Sequence, residues 1–234
     1  MSNLEYVTIA LAIASLAAAA YGARLLLQRQ RRKNYVVREL PDFLTPEECD
    51  RIIDLAKPLI QKSMIVRKGE QKSNHTLRTS STAFLKNTND AIVKRVKRRI
   101  AEVTETDLHC QEPLQVTHYD EHEYYVPHQD ALGSGGAETG EAGDRYCTLI
   151  VYLNDDYGGG CTCFYRIGAR VKPERGKAVL FYNLTDDGSK PHPLSLHGAE
   201  PITHGEKWLA NQWIRLRPYG GANRKARRAK ARAK

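Results

Sequence analysis

The sequence contains few cysteines. There are five among 234 residues, and no two of them form a Cys-x-x-Cys pair. Cys161 and Cys163 are one residue apart, and no second pair completes a tetrahedral zinc site. The odd number and irregular spacing also argue against a disulfide-stapled scaffold and favour a reducing compartment. We therefore expect the cysteines to be small buried side chains.

The N-terminus lacks the positive charge that precedes the apolar run of a secretory signal peptide, because Met1–Tyr6 carries only Glu5. Tyr6–Leu27 is nevertheless almost wholly apolar, and about 20 such residues span a membrane as a helix. Scattered arginines, typical of a mitochondrial transit peptide, are missing, and the charged stretch Arg29–Lys33 makes a buried domain helix a poor alternative. We expect a single-pass membrane anchor.

Positive charge flanks this run on its C-terminal side only, which predicts a folded domain on the cytosolic or mitochondrial-matrix side. The endoplasmic reticulum membrane is the other possibility. Much of the net charge of +9 lies in Arg29–Lys33 and in the tail Asn223–Lys234. The tail has no aromatic residues for stacking on bases, so we expect no specific nucleic acid. A disordered tail that contacts anionic lipid or an acidic partner is the interpretation we adopt.

The middle of the chain begins with helices and continues with strands. Thr45-Pro-Glu-Glu48 predicts a capped helix start, with apolar spacing to about Gln61, and Asp90–Thr104 predicts a second helix. From Pro113 onward, short apolar segments separated by Gly/Pro turns predict an antiparallel sandwich or barrel. The predicted divisions are an anchor and basic flank (1–33), a supporting region (34–110), a core (111–219) and the tail (220–234).

One short motif, Tyr125-Val-Pro-His128-Gln-Asp130, carries the first chemical signal. On an extended segment the imidazole and the carboxylate point the same way, so both can reach one metal ion. An isolated motif of this kind is more often part of a solvated loop. His197, on a late predicted strand, would complete the two-histidine, one-carboxylate triad of non-haem Fe(II) oxygenases. Lys207 follows on a later strand and suits the far carboxylate of a dicarboxylate such as 2-oxoglutarate.

The region from about Tyr35 to Pro218 resembles the prolyl 4-hydroxylase family of Fe(II)/2-oxoglutarate dioxygenases. The order and spacing of several motifs carry this resemblance. They are Arg78-Thr-Ser80, Glu112-Pro-Leu-Gln-Val-Thr-His-Tyr119, Tyr125-Val-Pro-His128-Gln-Asp130, Arg145–Asn154, Gly158–Thr162, Pro173–Asn183, Ser195-Leu-His197 and Gly205–Ile214. Within the wider superfamily, a lysine rather than an arginine at position 207 favours the prolyl branch.

The resemblance implies an α+β, mainly β fold, with a double-stranded β-helix (jelly-roll) core supported by N-terminal helices. It implies His128, Asp130 and His197 as ligands of Fe(2+), and Tyr119, Thr162 and Lys207 as 2-oxoglutarate-binding residues. It also implies ascorbate as a reductant and a proline-containing peptide or protein as substrate. The residues implied for the peptide groove are Arg78, Ser80, Glu112, Tyr125, Arg145 and Trp213. Packing alternatives exist: Trp213 as core, Tyr119 facing solvent, and Arg145 with Glu112 as a structural ion pair.

The chain departs from the family pattern at three places. His122-Glu123 stands where Gly-Gln is usual, Cys161 stands where the Gly-Gly-Glu-Thr motif has glutamate, and Arg215 stands where several members have histidine. No metal ligand is lost, so a membrane-anchored prolyl hydroxylase is the expected function. The alternatives are a dioxygenase-fold accessory or scaffold subunit of a membrane complex with little activity, and a hydroxylase of another residue type or a small molecule.

Overall fold

A computed structural model describes Ser15 and residues 37–63, 65–67, 70–72, 77–86, 89–133 and 139–220. The compact unit that carries the fold begins at Val37. The predicted membrane helix, apart from Ser15, and the tail from residue 221 lie outside the described residues, as do residues 134–138. Among the residues that are described, no helix has the length and apolar character needed to span a membrane.

Two α-helices lie in the N-terminal half of the chain. Helix α1, Pro46–Ala56, has the predicted capping box: the Thr45 hydroxyl accepts from the Glu48 amide, and the Glu48 carboxylate accepts from the Thr45 amide. It ends before the expected Gln61 and continues as a 3₁₀ turn, Lys57–Leu59, because Pro58 has no amide hydrogen to donate. Helix α2, Ala91–Thr104, begins after Asp90, whose carboxylate accepts hydrogen bonds from the backbone amides of Ile92 and Val93.

The strands of the described residues follow in chain order. They are β1 (Val37–Leu40), β2 (Gln61–Lys62), β3 (Ile65–Arg67), β4 (Glu70–Lys72), β5 (Ser81–Leu85), β6 (Leu114–Tyr119), β7 (Tyr125–His128), β8 (Arg145–Tyr152), β9 (Gly158–Gly159), β10 (Thr162–Phe164), β11 (Ala169–Val171), β12 (Ala178–Tyr182), β13 (His197–Ala199), β14 (Ile202–His204) and β15 (Lys207–Arg215). Short 3₁₀ turns occur at Leu108–Cys110 and Pro193–Ser195.

These strands form two principal antiparallel sheets. The major sheet has the order β1-β12-β8-β15-β6-β5-β2, and the minor sheet has the order β11-β10-β13-β7. Side chains of both sheets, including Tyr152, Phe181 and Phe164, pack together in one buried cluster. The opposite face of the major sheet packs with α1 and α2 in a second cluster. The predicted mainly β fold, consistent with a jelly-roll core and few helices, is confirmed.

Three details differ from the sequence-based expectation. Strand β7 ends at His128, so Asp130 lies in the bend that follows and not on the strand. The late strand predicted to carry His197 begins only at that residue, because the preceding residues Pro193–Ser195 form a 3₁₀ turn. Strand β5 was not predicted, because its short segment, Ser-Thr-Ala-Phe-Leu, has too weak an alternation to be separated from a loop.

Candidate active site

His128, Asp130 and His197 meet between the ends of two neighbouring strands. Strands β7 and β13 pair with His128 directly opposite His197, and Asp130 follows two residues later. The Nε2 atom of His128 is 3.6 Å from Oδ1 of Asp130, and Nε2 of His197 is 3.9 Å from Oδ2. Donor atoms on one first-row metal ion, with bonds of about 2.1 Å, lie no more than about 4.2 Å apart. The two His–Asp separations meet this limit, and all three donor atoms lie within 4.8 Å of one another, so the group can hold a single metal ion.

Hydrogen bonds to the backbone prepare both imidazoles for metal binding. Nδ1 of His128 lies 2.9 Å from the carbonyl oxygen of Val126, and Nδ1 of His197 lies 2.9 Å from that of Ser195. A carbonyl oxygen can only accept, so in each neutral ring the proton is on Nδ1 and the lone pair is on Nε2. Burial, followed by the neighbouring His128, lowers the pKa of His197 to about 4 despite the opposing effect of Asp130. The His197 ring is therefore neutral at neutral pH.

The carboxylate of Asp130 is held by a short polar relay. The Thr148 hydroxyl donates to Asp130 Oδ2 at 2.7 Å, and the Asn183 amide donates to the Thr148 hydroxyl at 2.8 Å. Burial by itself would raise the pKa of Asp130. At the acidic pH where this carboxyl titrates, however, the adjacent His197 ring is protonated, and its positive charge, together with the neighbouring His128 and Arg145, outweighs burial. The pKa of Asp130 consequently lies well below its ordinary value, and the side chain is an anion held in a fixed orientation.

Aromatic rings enclose the triad. The Phe164 and Phe181 ring centroids lie 5.6 Å and 4.6 Å from that of His197. The Tyr125 ring stacks on His128 at 3.6 Å, and its other neighbour is the Arg78 guanidinium, 4.8 Å from the ring centre. These rings restrict the positions of both imidazoles and limit the access of water from these sides.

Lys207 is fully buried in the interior face of the major sheet. Its ammonium donates to the carbonyl oxygen of Gly160 at 2.5 Å and lies 5.3 Å and 5.4 Å from the ring centres of Tyr119 and Tyr152. No carboxylate of the described residues forms an ion pair with it, and burial lowers its pKa to about 8. A buried cation without an anion is costly, so the pocket fits an anionic ligand.

Thr162 links the triad of His128, Asp130 and His197 to the surroundings of Lys207. It lies two residues from Phe164 on β10, and Phe164 is the register partner of His197. Its hydroxyl accepts from the Tyr152 hydroxyl at 2.7 Å. Tyr119 and Thr162 are both buried, so the solvent-facing alternative for Tyr119 is wrong. Tyr152 was not predicted as a site residue, although it points to the same face of β8 as Thr148, four residues earlier.

The residues expected to line a peptide groove separate into two hydrogen-bonded groups. In the first, Arg78 donates to the Ser80 hydroxyl at 2.9 Å and to the Thr117 hydroxyl at 3.2 Å, and it pairs through its backbone with Tyr125. Arg78 and Ser80 are buried, whereas Tyr125 is partly exposed. This group adjoins His128 through the Tyr125 ring.

The second group is centred on Glu112. Arg145 donates to both carboxylate oxygens at 2.9 Å and 3.2 Å, and Arg215 Nε approaches to 2.5 Å. The Arg145 guanidinium also lies 3.5 Å from the ring centre of Trp213, which is 8% exposed. Arg145 and Glu112 thus form the ion pair that the sequence left as an alternative. Arg215, which stands where several family members have histidine, is thus a second cation beside the Glu112 carboxylate.

Comparison with known proteins places this geometry in a family. A family model described as the 2OG-Fe(II) oxygenase superfamily matches residues 114–215. Probable prolyl 4-hydroxylase 6 of Arabidopsis thaliana is 38% identical over 200 residues, which cover 76% of this chain and 68% of that protein. Prolyl 4-hydroxylase 1 of the same plant is 35% identical over 192 residues, which cover 75% and 67%. The chain belongs to the prolyl 4-hydroxylase family.

A solved structure agrees with this assignment. The viral collagen prolyl hydroxylase from Paramecium Bursaria Chlorella virus-1, solved as a 2OG complex, has a TM-score of 0.63 and 28% identity, covering 79% of this chain and 98% of that one. The protein is a 2-oxoglutarate-dependent dioxygenase of the prolyl 4-hydroxylase type. Its cofactors are Fe(2+) and 2-oxoglutarate, with ascorbate the reductant typical of prolyl hydroxylases. The comparisons do not support the alternative of an accessory subunit.

Proposed function

We propose that this family member hydroxylates prolyl residues in a peptide or protein, with Fe(2+) held by His128, Asp130 and His197. The observation that carries the proposal is the triad, in which Asp130 and His197 are buried, facing the interior between the two sheets that also holds Lys207, a buried cation that lacks an anion. Neither cluster is explained by packing alone, because each would be costly without a ligand. A metal ion and a dicarboxylate satisfy both.

When bound, iron and 2-oxoglutarate supply O2 activation and transfer of one oxygen atom to a substrate C–H bond, as 2-oxoglutarate becomes succinate and CO2. The chain's own residues hold and orient these groups. Lys207 binds the distal carboxylate of 2-oxoglutarate, and Tyr119 and Thr162 line its path towards the metal. The carbonyl groups of Val126 and Ser195 keep the imidazole protons on Nδ1.

The substrate groove is proposed on the open side of the triad, beside Tyr125 and Arg145. These two are the members of the predicted groove set that are partly exposed. The buried members (Arg78, Ser80, Glu112 and Trp213) support them through the contacts described above. The relatives, which include prolyl 4-hydroxylases and a collagen prolyl hydroxylase, support a proline-containing peptide as the substrate.

The test uses the full-length chain with Fe(2+), 2-oxoglutarate, ascorbate and a proline-rich peptide. Succinate release should depend on the peptide, and the peptide should gain about 16 Da, the mass of one oxygen atom, per hydroxylation. His128→Ala should abolish both signals and keep the circular dichroism of the wild type. Failure of the wild-type chain to bind iron would refute the proposed enzymatic activity. Succinate release with no prolyl product would refute the proposal that the substrate is a prolyl residue.

The proposed location is a membrane, with the catalytic domain on the cytosolic or matrix side. The proposal rests on the apolar run Tyr6–Leu27 and on the positive charges that follow it. Membrane fractions of expressing cells should retain the chain after alkaline carbonate washing and release a variant that begins at Asn34. Release of both proteins in the wash would contradict the anchor.

A further inference from the structure

Tyr157 has a polar group that the site described above leaves unused. It lies in the turn between β8 and β9, and its side chain is partly buried. Its hydroxyl oxygen is buried and has no hydrogen-bond partner among the described residues. A buried hydroxyl without a partner is unfavourable, and phenylalanine would fill the same space without that cost. The hydroxyl therefore needs an explanation beyond packing.

The position of the ring relative to Lys207 supplies one. A Cβ atom added to Gly160 would lie 2.8 Å from Cε2 of Tyr157 and 3.3 Å from Cδ of Lys207. Both side chains therefore border the same small space, which Gly160 keeps open. Cε2 is bonded to the ring carbon that carries the hydroxyl, so the polar end of Tyr157 lies beside the space that Lys207 also borders.

The surroundings of the hydroxyl point to the same pocket. Burial raises the pKa of Tyr157, and the nearby Tyr152, Cys161, Asp155 and Tyr119 raise it further. Tyr119 and Tyr152 are the two rings beside the Lys207 ammonium. The hydroxyl is thus protonated and can donate. The Tyr152 hydroxyl already donates to Thr162, whereas the Tyr157 hydroxyl has no acceptor among the described residues.

We propose that Tyr157 is a further co-substrate-binding residue, whose hydroxyl donates a hydrogen bond to the same carboxylate that Lys207 binds. The inference rests on the proposed function, because the carboxylate belongs to 2-oxoglutarate. One ammonium cannot use all the acceptor positions of a carboxylate, which has about four. A hydrogen bond to a charged group, made in a buried pocket, strengthens binding by about ten- to a hundredfold.

The experiment compares Tyr157→Phe with the wild-type full chain, loaded with Mn²⁺ so that no turnover occurs. Titration calorimetry should give a 2-oxoglutarate Kd about ten- to a hundredfold higher for the variant. For 2-oxobutanoate, which has no distal carboxylate, the two proteins should give the same Kd. Tyr165→Phe, which alters an exposed tyrosine, is the matched control and should change neither value.

Thermal unfolding separates a binding role from a structural one. Without 2-oxoglutarate, the Tm of Tyr157→Phe should equal or exceed that of the wild type, since an unpaired hydroxyl is removed. With saturating 2-oxoglutarate the wild type should become the more stable protein. Equal 2-oxoglutarate affinity, or a lower Tm of the variant without ligand, would overturn the role of Tyr157 and leave the proposed function standing. Absence of 2-oxoglutarate binding by the wild type would overturn both.

Discussion

On strand β8, Leu149 and Val151 pack in the cluster that includes the helices, whereas Thr148 and Tyr152 hydrogen-bond to Asp130 and Thr162. Strand β15 repeats this division. Ala210 and Ile214 belong to the helix-side cluster, while Lys207 at the start of the same strand faces Tyr119 and Tyr152. Because side chains alternate along a strand, adjacent residues of one segment belong to two different environments.

This division separates stability from chemistry. The helix side is lined mainly with aliphatic side chains, whose burial stabilises the fold. The interior side contains charged and hydroxyl groups that are buried without all of their partners, as Lys207 and Tyr157 are. Such groups reduce stability until a ligand satisfies them. The helix side therefore provides the stability that allows the interior side to remain prepared for ligands.

Replacing Leu149 by alanine should produce the largest effect and should test the helix side alone. Leu149 is fully buried, so its truncation removes apolar contacts and leaves a cavity. We expect the free energy of unfolding to fall by about 2–5 kcal/mol, measured by urea denaturation. Metal and 2-oxoglutarate affinities of the folded fraction should stay at the wild-type values. A weakened metal site with unchanged stability would contradict the division.

Thr148→Val, at the residue next to Leu149, should weaken metal binding more than it lowers stability. Valine keeps the shape of threonine but leaves Asp130 Oδ2 and the Asn183 amide without the hydroxyl between them. Loss of such an orienting group typically weakens metal affinity about 10- to 100-fold, which titration with Mn²⁺ would measure. Thr148→Ser retains the hydroxyl and should bind the metal almost as tightly as the wild type. Equal Mn²⁺ affinity of the valine and serine variants would show that the relay is irrelevant.

Local signals in the sequence predicted the local elements well. The Thr45 capping box, the α2 start at Asp90 and the short apolar segments of β6 and β8 each depend on a few adjacent residues, and each lies where expected within a few residues. The ends were less accurate, as at α1, where Pro58 shortened the helix. Motif order also brought His128, Asp130 and His197 into one candidate set before their β7–β13 pairing was known.

Contacts between residues far apart in the chain could not be predicted from the sequence. Nothing near Arg215 indicates that it approaches Glu112, about a hundred residues earlier, because that contact depends on β15 lying between β6 and β8. Tyr152 and Tyr157 were also missed. A tyrosine in an apolar strand or turn has the same pattern in a core and in a pocket, and only the packing reveals its hydroxyl's surroundings.

The smallest predicted effect is a pH dependence that arises from Lys207. A rise in pH should weaken 2-oxoglutarate binding but stabilise the ligand-free fold. Burial lowers the pKa of Lys207 to about 8 from the ordinary 10.5, so the free protein loses this charge as pH rises through about 8. The neutral amine cannot pair with a carboxylate, so the Kd for 2-oxoglutarate should rise about tenfold per pH unit above that value. Lys207→Arg keeps its charge and should show no such rise.

Folding should respond in the opposite direction. Between about pH 8 and 10.5 the unfolded chain binds the Lys207 proton more tightly than the folded protein does. The stability of the ligand-free wild type, relative to Lys207→Met, should therefore increase with pH across this window. Urea denaturation at several pH values measures this difference. A parallel decrease of stability and 2-oxoglutarate affinity would mean that the ammonium already has a stabilising anion in the free protein. The interior face would then resemble the helix side, with its groups satisfied before any ligand binds.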